Sequence, residues 1–117
     1  MPVFGYGIAF NTSDAMTFAR ERSLVAKPEM DMHGIEHVYA TFDFISREAG
    51  LVGAKLVIPF ADDYQWLLQL FTNHNYRKAP YTEQQRLRSV ARAAELLGNG
   101  QRAFWWWLPK GRWCPTE

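Results

Sequence analysis

A chain of 117 residues, 48% apolar and 21% charged, has the size and composition of one domain, 1–117, with its own core, and not of a disordered polymer. Its net charge of only +1 falls short of the basic balance of a dedicated nucleic-acid binder, and its lone cysteine, Cys114, rules out an internal disulfide. No basic segment leading into an apolar run opens the sequence, and no apolar run approaches the ~20 residues of a membrane span, so a soluble, cytoplasmic protein is expected.

Val3 to Phe10 reads as a strand. Phe4, Tyr6, Ile8 and Phe10 alternate with Val3, Gly5, Gly7 and Ala9, which gives one large face and one small face. Gly5 and Gly7 weaken the strand but admit close approach by another backbone. The polar cluster Asn11, Thr12, Ser13 and Asp14 predicts a first helix running to about Lys27, before Pro28. A second helix is predicted from roughly Glu29 or His33 to Ala49. Ile35, Val38, Tyr39, Phe42 and Ile45 keep helical spacing, and Gly50 is placed to end it. Phe44 falls on the side opposite Phe42 and needs a second neighbour or a partner.

Lys55 to Phe60, KLVIPF, predicts a short strand that Pro59 confines to a sheet edge or a strand end. Asp62 and Asp63, with Gln65 at a capping-box position, predict a third helix reaching about Asn73. Tyr64, Trp66, Leu67, Leu68, Leu70 and Phe71 cover almost its whole circumference, so it must be buried all round or expose an apolar patch. Thr82 and Gln85 form the clearest capping box, T-x-x-Q. They open a fourth helix with Leu87, Val90, Ala91, Ala94 and Leu97 on one stripe and Arg86, Arg88 and Arg92 off it, closed by Gly98. A last strand, AFWWWL, stops at Pro109. The expected fold is α+β: about four helices packed against a small, mainly antiparallel sheet of two or three strands. The N-terminal and C-terminal strands, both rich in aromatics, are expected to pair.

His33, Glu36 and His37 stand in the order H-x-x-E-H, the spacing of an inverted zinc-peptidase signature. On a helix, positions i and i+4 share a face, so both imidazoles could reach one metal while Glu36 activates a water. A third ligand is needed. Glu48, Glu83, Glu95 and Glu117 belong to no second motif, and Gly34 weakens the helix just where the geometry is required. The expectation is therefore no metal and no cofactor, with His33 at a helix start and His37 at the surface or rim; a zinc hydrolase is the remote alternative. No Walker loop, nucleophile elbow or paired cysteine motif is present, and Cys114 beside Pro115 near the terminus is a poor nucleophile site.

Aromatic residues make up 15% of the chain, an excess that needs burial or a partner. Trp105, Trp106 and Trp107 are consecutive, so on a strand Trp106 faces the core with Phe104 and Leu108 while Trp105 and Trp107 point outward. With the third helix, this nominates Tyr64, Trp66, Leu67, Leu70, Phe71, Phe44, Trp105 and Trp107 as interface residues. Charge is split along the chain. Met1 to Asn73 holds five Lys or Arg against nine Asp or Glu, and His74 to Glu117 holds eight against three. Opposite-signed halves, with surplus apolar surface, suggest a homodimer or an oriented partner. The function expected is that of a small non-enzymatic regulatory protein binding another protein, an inhibitor or anti-activator in a bacterial or phage setting. The alternative is nucleic-acid binding by the basic, aromatic second half, with Arg86, Arg88, Arg92 and Arg102 on phosphates.

Overall fold

The computed structural model describes residues 3–75, 77 and 82–108. Pro109, Cys114, Pro115 and Glu117 lie outside the described residues. In chain order the elements are β1 (Phe4–Phe10), α1 (Thr12–Glu21), a short 3₁₀ turn (Pro28–Met30), α2 (Ile35–Glu48), β2 (Lys55–Val57), β3 (Trp66–Thr72), α3 (Glu83–Leu97) and β4 (Phe104–Trp107). The strands form one antiparallel sheet in the order β2-β3-β1-β4. The class is α+β, and the N-terminal strand does pair with the C-terminal one, Phe4 opposite Trp107 and Tyr6 opposite Trp105. Among the described residues there are three α-helices and four strands where four helices and two or three strands are expected.

The difference in count is one element: the segment read as a third helix, Asp62 to Asn73, contains β3. This strand lies between β2 and β1, and both of its faces are covered. An interior strand buried on both sides is apolar on both sides, so its sequence loses the period-two alternation that would reveal it. Leu68, Leu70 and Phe71 pack with Ile8, Phe10, Phe18, Val38 and Ile45 under the helices. Leu67 packs with Ala9, Val57 and Leu108 on the opposite face. Leu67 and Leu68 are fully buried, and each such side chain contributes about 1.5–3 kcal/mol.

No helix among the described residues covers that second face; the loop 58–65 does. It leaves edge strand β2, sends Tyr64 against Trp106 with ring centroids 5.4 Å apart, and donates the Phe60 N–H to the Trp107 carbonyl at 2.7 Å. Its end is tied to the start of α1: Asn11 Oδ1 accepts from Gln65 N–H at 2.9 Å, and Gln65 Oε1 accepts from Thr12 N–H at 2.8 Å. Gln65 is therefore a cap, as its setting predicts, but for α1 across 53 residues of sequence.

Gly7 explains how β1 and β3 meet. A Cβ there would lie 2.0 Å from the Leu68 carbonyl oxygen. Beside it, Tyr6 faces Phe71 while Gly7 faces Gln69, so Leu70 is the extra residue of a bulge. The close approach expected of the glycines is backbone to backbone at Gly7, while at Gly5 it is the Gln69 and Leu67 side chains that come close.

The first helix ends at Glu21, short of Lys27. Leu24 N–H donates to the Ala19 carbonyl and Ser23 N–H to the Arg20 carbonyl, with Ser23 in the left-handed region at φ 53°. This is a Schellman motif with serine where glycine is usual. The same motif closes α2 in its ordinary form, with Gly50 at φ 70°. Among the described residues, no helix is long and apolar enough to cross a membrane.

Candidate functional site

The structure takes the H-x-x-E-H residues apart. Gly34 adopts a left-handed conformation, φ 75°, as the N-cap of α2, so His33 lies before the helix and shares no face with His37. His33 is exposed, whereas His37 is fully buried, contrary to the surface or rim position expected. Its Nδ1 lies 2.5 Å from Asp31 Oδ2, and the same oxygen accepts the His37 backbone N–H at 3.0 Å. Burial pulls the Asp31 pKa upward, but the His37 ring, the His37 N–H and the Glu36 N–H, all donating to it, hold it below the ordinary 3.8. Asp31 thus satisfies the start of α2 and the imidazole at once. Among the described residues, no group of three histidines, cysteines or acids is placed to hold a metal. Sequence reasoning missed Asp31. Its distance of six residues from His37 matches no helical spacing and depends on the left-handed turn at Gly34.

The predicted interface residues divide into two sets. Leu67, Leu70 and Phe71 are core side chains of β3 and present no surface. Trp66 is half-buried and donates its indole N–H to Thr12 Oγ1 at 3.0 Å, while Tyr64 is half-buried against Trp106. Phe44 is half-buried in an edge contact with Phe18, 5.6 Å between centroids, and so has the second neighbour its position on α2 requires.

The other set, Trp105 and Trp107, is exposed at the β4 edge, where Phe60 and Phe104, not predicted as interface residues, join it. Phe60, Phe104, Trp105 and Trp107 are 73%, 62%, 45% and 55% exposed. Trp105 and Trp107 share the helix-side face of the sheet, as the alternation predicts, but Phe104 is not a core residue: it projects on the other face with Trp106. Ring packing fixes their bases. Trp107 meets Phe4 edge-on at 5.1 Å, Trp105 meets Tyr6 at 5.2 Å and Phe71 at 5.7 Å, and Tyr6 stacks on Phe71 at 5.1 Å and 7°. These are rigid side chains held from beneath, with their outer parts in solvent.

The arginines of the nucleic-acid reading are scattered over several jobs. Arg86 lies over the Tyr6 and Phe71 rings at 5.9 and 6.0 Å and near Glu83 at 3.8 Å, so it packs the sheet. Arg92 pairs with Glu95 at 3.3 Å, and Arg88 and Arg102 are exposed. No family model, characterised protein or solved structure matches this chain.

Proposed function

We propose that this chain is a small non-enzymatic regulatory protein that binds another protein through the aromatic edge at β4, as an inhibitor or anti-activator does. The observation that supports it is the grouping of Phe60, Phe104, Trp105 and Trp107, four large exposed aromatics on one short edge strand and the loop beside it. Large rigid aromatics supply contact area at little entropic cost and dominate the energetics of many interfaces. An edge strand also carries unpaired backbone groups, so a partner can add both main-chain hydrogen bonds and side-chain pockets.

The test is capture of partners from extract of the native cells by wild type, Trp107→Ala and Trp105→Ala. The expected result is one partner retained by wild type and lost with either variant, each truncation removing roughly 2 kcal/mol or more. Unchanged circular dichroism is required, and the exposure of both residues makes it the expected outcome. Binding should vary little with salt. If instead the captured ligand is nucleic acid, with each neutralised phosphate adding about 0.7–0.9 to the log–log salt slope and Arg88 or Arg102 reversal abolishing capture, the alternative reading replaces this one. Self-association is the second form of the same proposal, because an edge strand can pair with its own copy. Light scattering on wild type and Trp107→Ala distinguishes a homodimer from a monomer with a free edge.

A further inference from the structure

β4 is an outer strand of the sheet, and the pattern of its backbone groups at the free edge follows from the ladder. Leu108 N–H donates to the Val3 carbonyl at 3.0 Å, and Phe4 lies opposite Trp107, so Val3 and Leu108 form a hydrogen-bonded pair. Such pairs alternate with non-bonded ones along an antiparallel ladder. Gly5–Trp106 and Gly7–Phe104 are then hydrogen-bonded pairs, and the N–H and C=O groups of Trp105 and Trp107 point away from β1, to the free edge. There the Trp107 carbonyl accepts from the Phe60 N–H at 2.7 Å. Among the described residues, no hydrogen-bond partner meets the outward groups of Trp105. Ala103 packs on the helix side of the sheet, as Trp105 does, and so continues the same phase. The edge also lacks the usual guards. β2, at the other edge, is three residues long and carries Lys55, whereas Phe104–Trp107 has no charge, proline or bulge.

We propose that this edge binds a second copy of the chain, β4 against β4 in antiparallel, with the two-fold axis at Phe104. The proposal rests on the reading of β4 as the interaction edge. Phe60 selects the register. If Trp105 lay opposite the second copy's Trp105, Ala103 would face Trp107, at the place that Phe60 already holds. With Phe104 opposite the second copy's Phe104, each Trp105 faces an Ala103 instead. Each of these two pairs exchanges two hydrogen bonds, about four in all. The next residue in phase, Gln101, has its N–H turned back onto Asn99 Oδ1 at 3.1 Å, so the ladder ends before it reaches the other copy's Phe60. The side chains suit this register. Small Ala103 lies beside large Trp105 on the helix side, and the exposed Phe104 rings meet across the axis on the other face, in a close non-hydrogen-bonded pair. Because β4 is uncharged, its two copies bring no like charges into opposition. Trp107 lies beyond the overlap and stays open to a different protein.

The test is sedimentation and cross-linking of the purified full chain. Over a concentration series, wild type should show a monomer–dimer equilibrium. Ala103→Pro removes one outward N–H from each copy just before the strand, and should weaken dimerisation about tenfold or more with circular dichroism unchanged. Cross-linking reads the register, in chains that also carry Cys114→Ser. Across the axis the two Cα atoms of position 104 are ~4.5 Å apart, within reach of a disulfide, whereas the two copies of position 105 are diagonal neighbours ~7–8 Å apart. Phe104→Cys should therefore oxidise to a covalent dimer about tenfold or more faster than Trp105→Cys. A monomer throughout the series overturns the proposal. So does Ala103→Pro dimerising as wild type does, or Trp105→Cys cross-linking as fast as Phe104→Cys. The dimer needs no cell extract and the captured partner needs no dimer, so a monomeric chain leaves the partner reading standing, and failure to capture a partner leaves the dimer standing.

Discussion

Single side chains set the joints of this molecule, and the Asp31–His37 pair ties the α1–α2 connection to the start of α2. Because the folded-state pKa of Asp31 lies below its ordinary value of 3.8, the pair's stabilisation is fully present above that value and is lost as pH falls through the lowered pKa. Wild type should therefore show an acid-side loss of urea resistance below about pH 4 that Asp31→Asn lacks, with Asp31→Asn less stable than wild type at neutral pH. Equal pH profiles for the two proteins would mean that the pair contributes nothing. Gly7 makes a sterically sharper joint. With a Cβ projected 2.0 Å from the Leu68 carbonyl oxygen, Gly7→Ala must push β1 and β3 apart. A loss of about 1–3 kcal/mol or more in chemical denaturation is expected, with the largest amide shifts at the Leu70 bulge. Ser23→Gly should do the reverse and raise stability by roughly 1 kcal/mol, since it removes a left-handed side chain at a helix cap.

At the level of elements, what the sequence made legible follows from how local each signal is. The T-x-x-Q box of α3 is read correctly because both of its bonds lie within four residues: Gln85 N–H to Thr82 Oγ1 at 3.1 Å and Thr82 N–H to Gln85 Oε1 at 3.0 Å. Thr82→Ala should cost about 1 kcal/mol of stability and fray the first turn of α3, measurable by hydrogen exchange. β1 is equally legible, since its large and small faces alternate. β2 keeps its predicted edge place, with Pro59 just beyond it. The signals that mislead are those whose partners are distant. Gln65 looks like the cap of its own helix but caps α1. The run from Trp66 to Thr72 looks helical because two layers, helices on one side and the 58–65 loop on the other, erase its alternation. Its length of seven residues is the internal clue to a strand, because a helix buried all round needs more chain than that. The Asp31–His37 contact depends on the turn at Gly34 and has no signature in spacing.

Across the whole molecule, the two-sided burial of β3 changes where apolar surface remains. Of the residues that a helix at 62–73 would expose, Leu67, Leu70 and Phe71 are in the core and Tyr64 and Trp66 are half-buried, and the exposed aromatics are concentrated at the other edge of the sheet, on β4 and Phe60. The sheet therefore has one edge blunted by the three-residue β2 and one edge carrying indoles. The proposal is that a protein partner docks at β4. Site-specific photocrosslinking in the native cells tests it most directly, with a photoreactive phenylalanine analogue placed at Trp107 or, as an equally exposed control on α2, at Tyr39. A single protein adduct is expected from position 107 and none from position 39. Adducts from position 39 alone, or the same adducts from both positions, would contradict it.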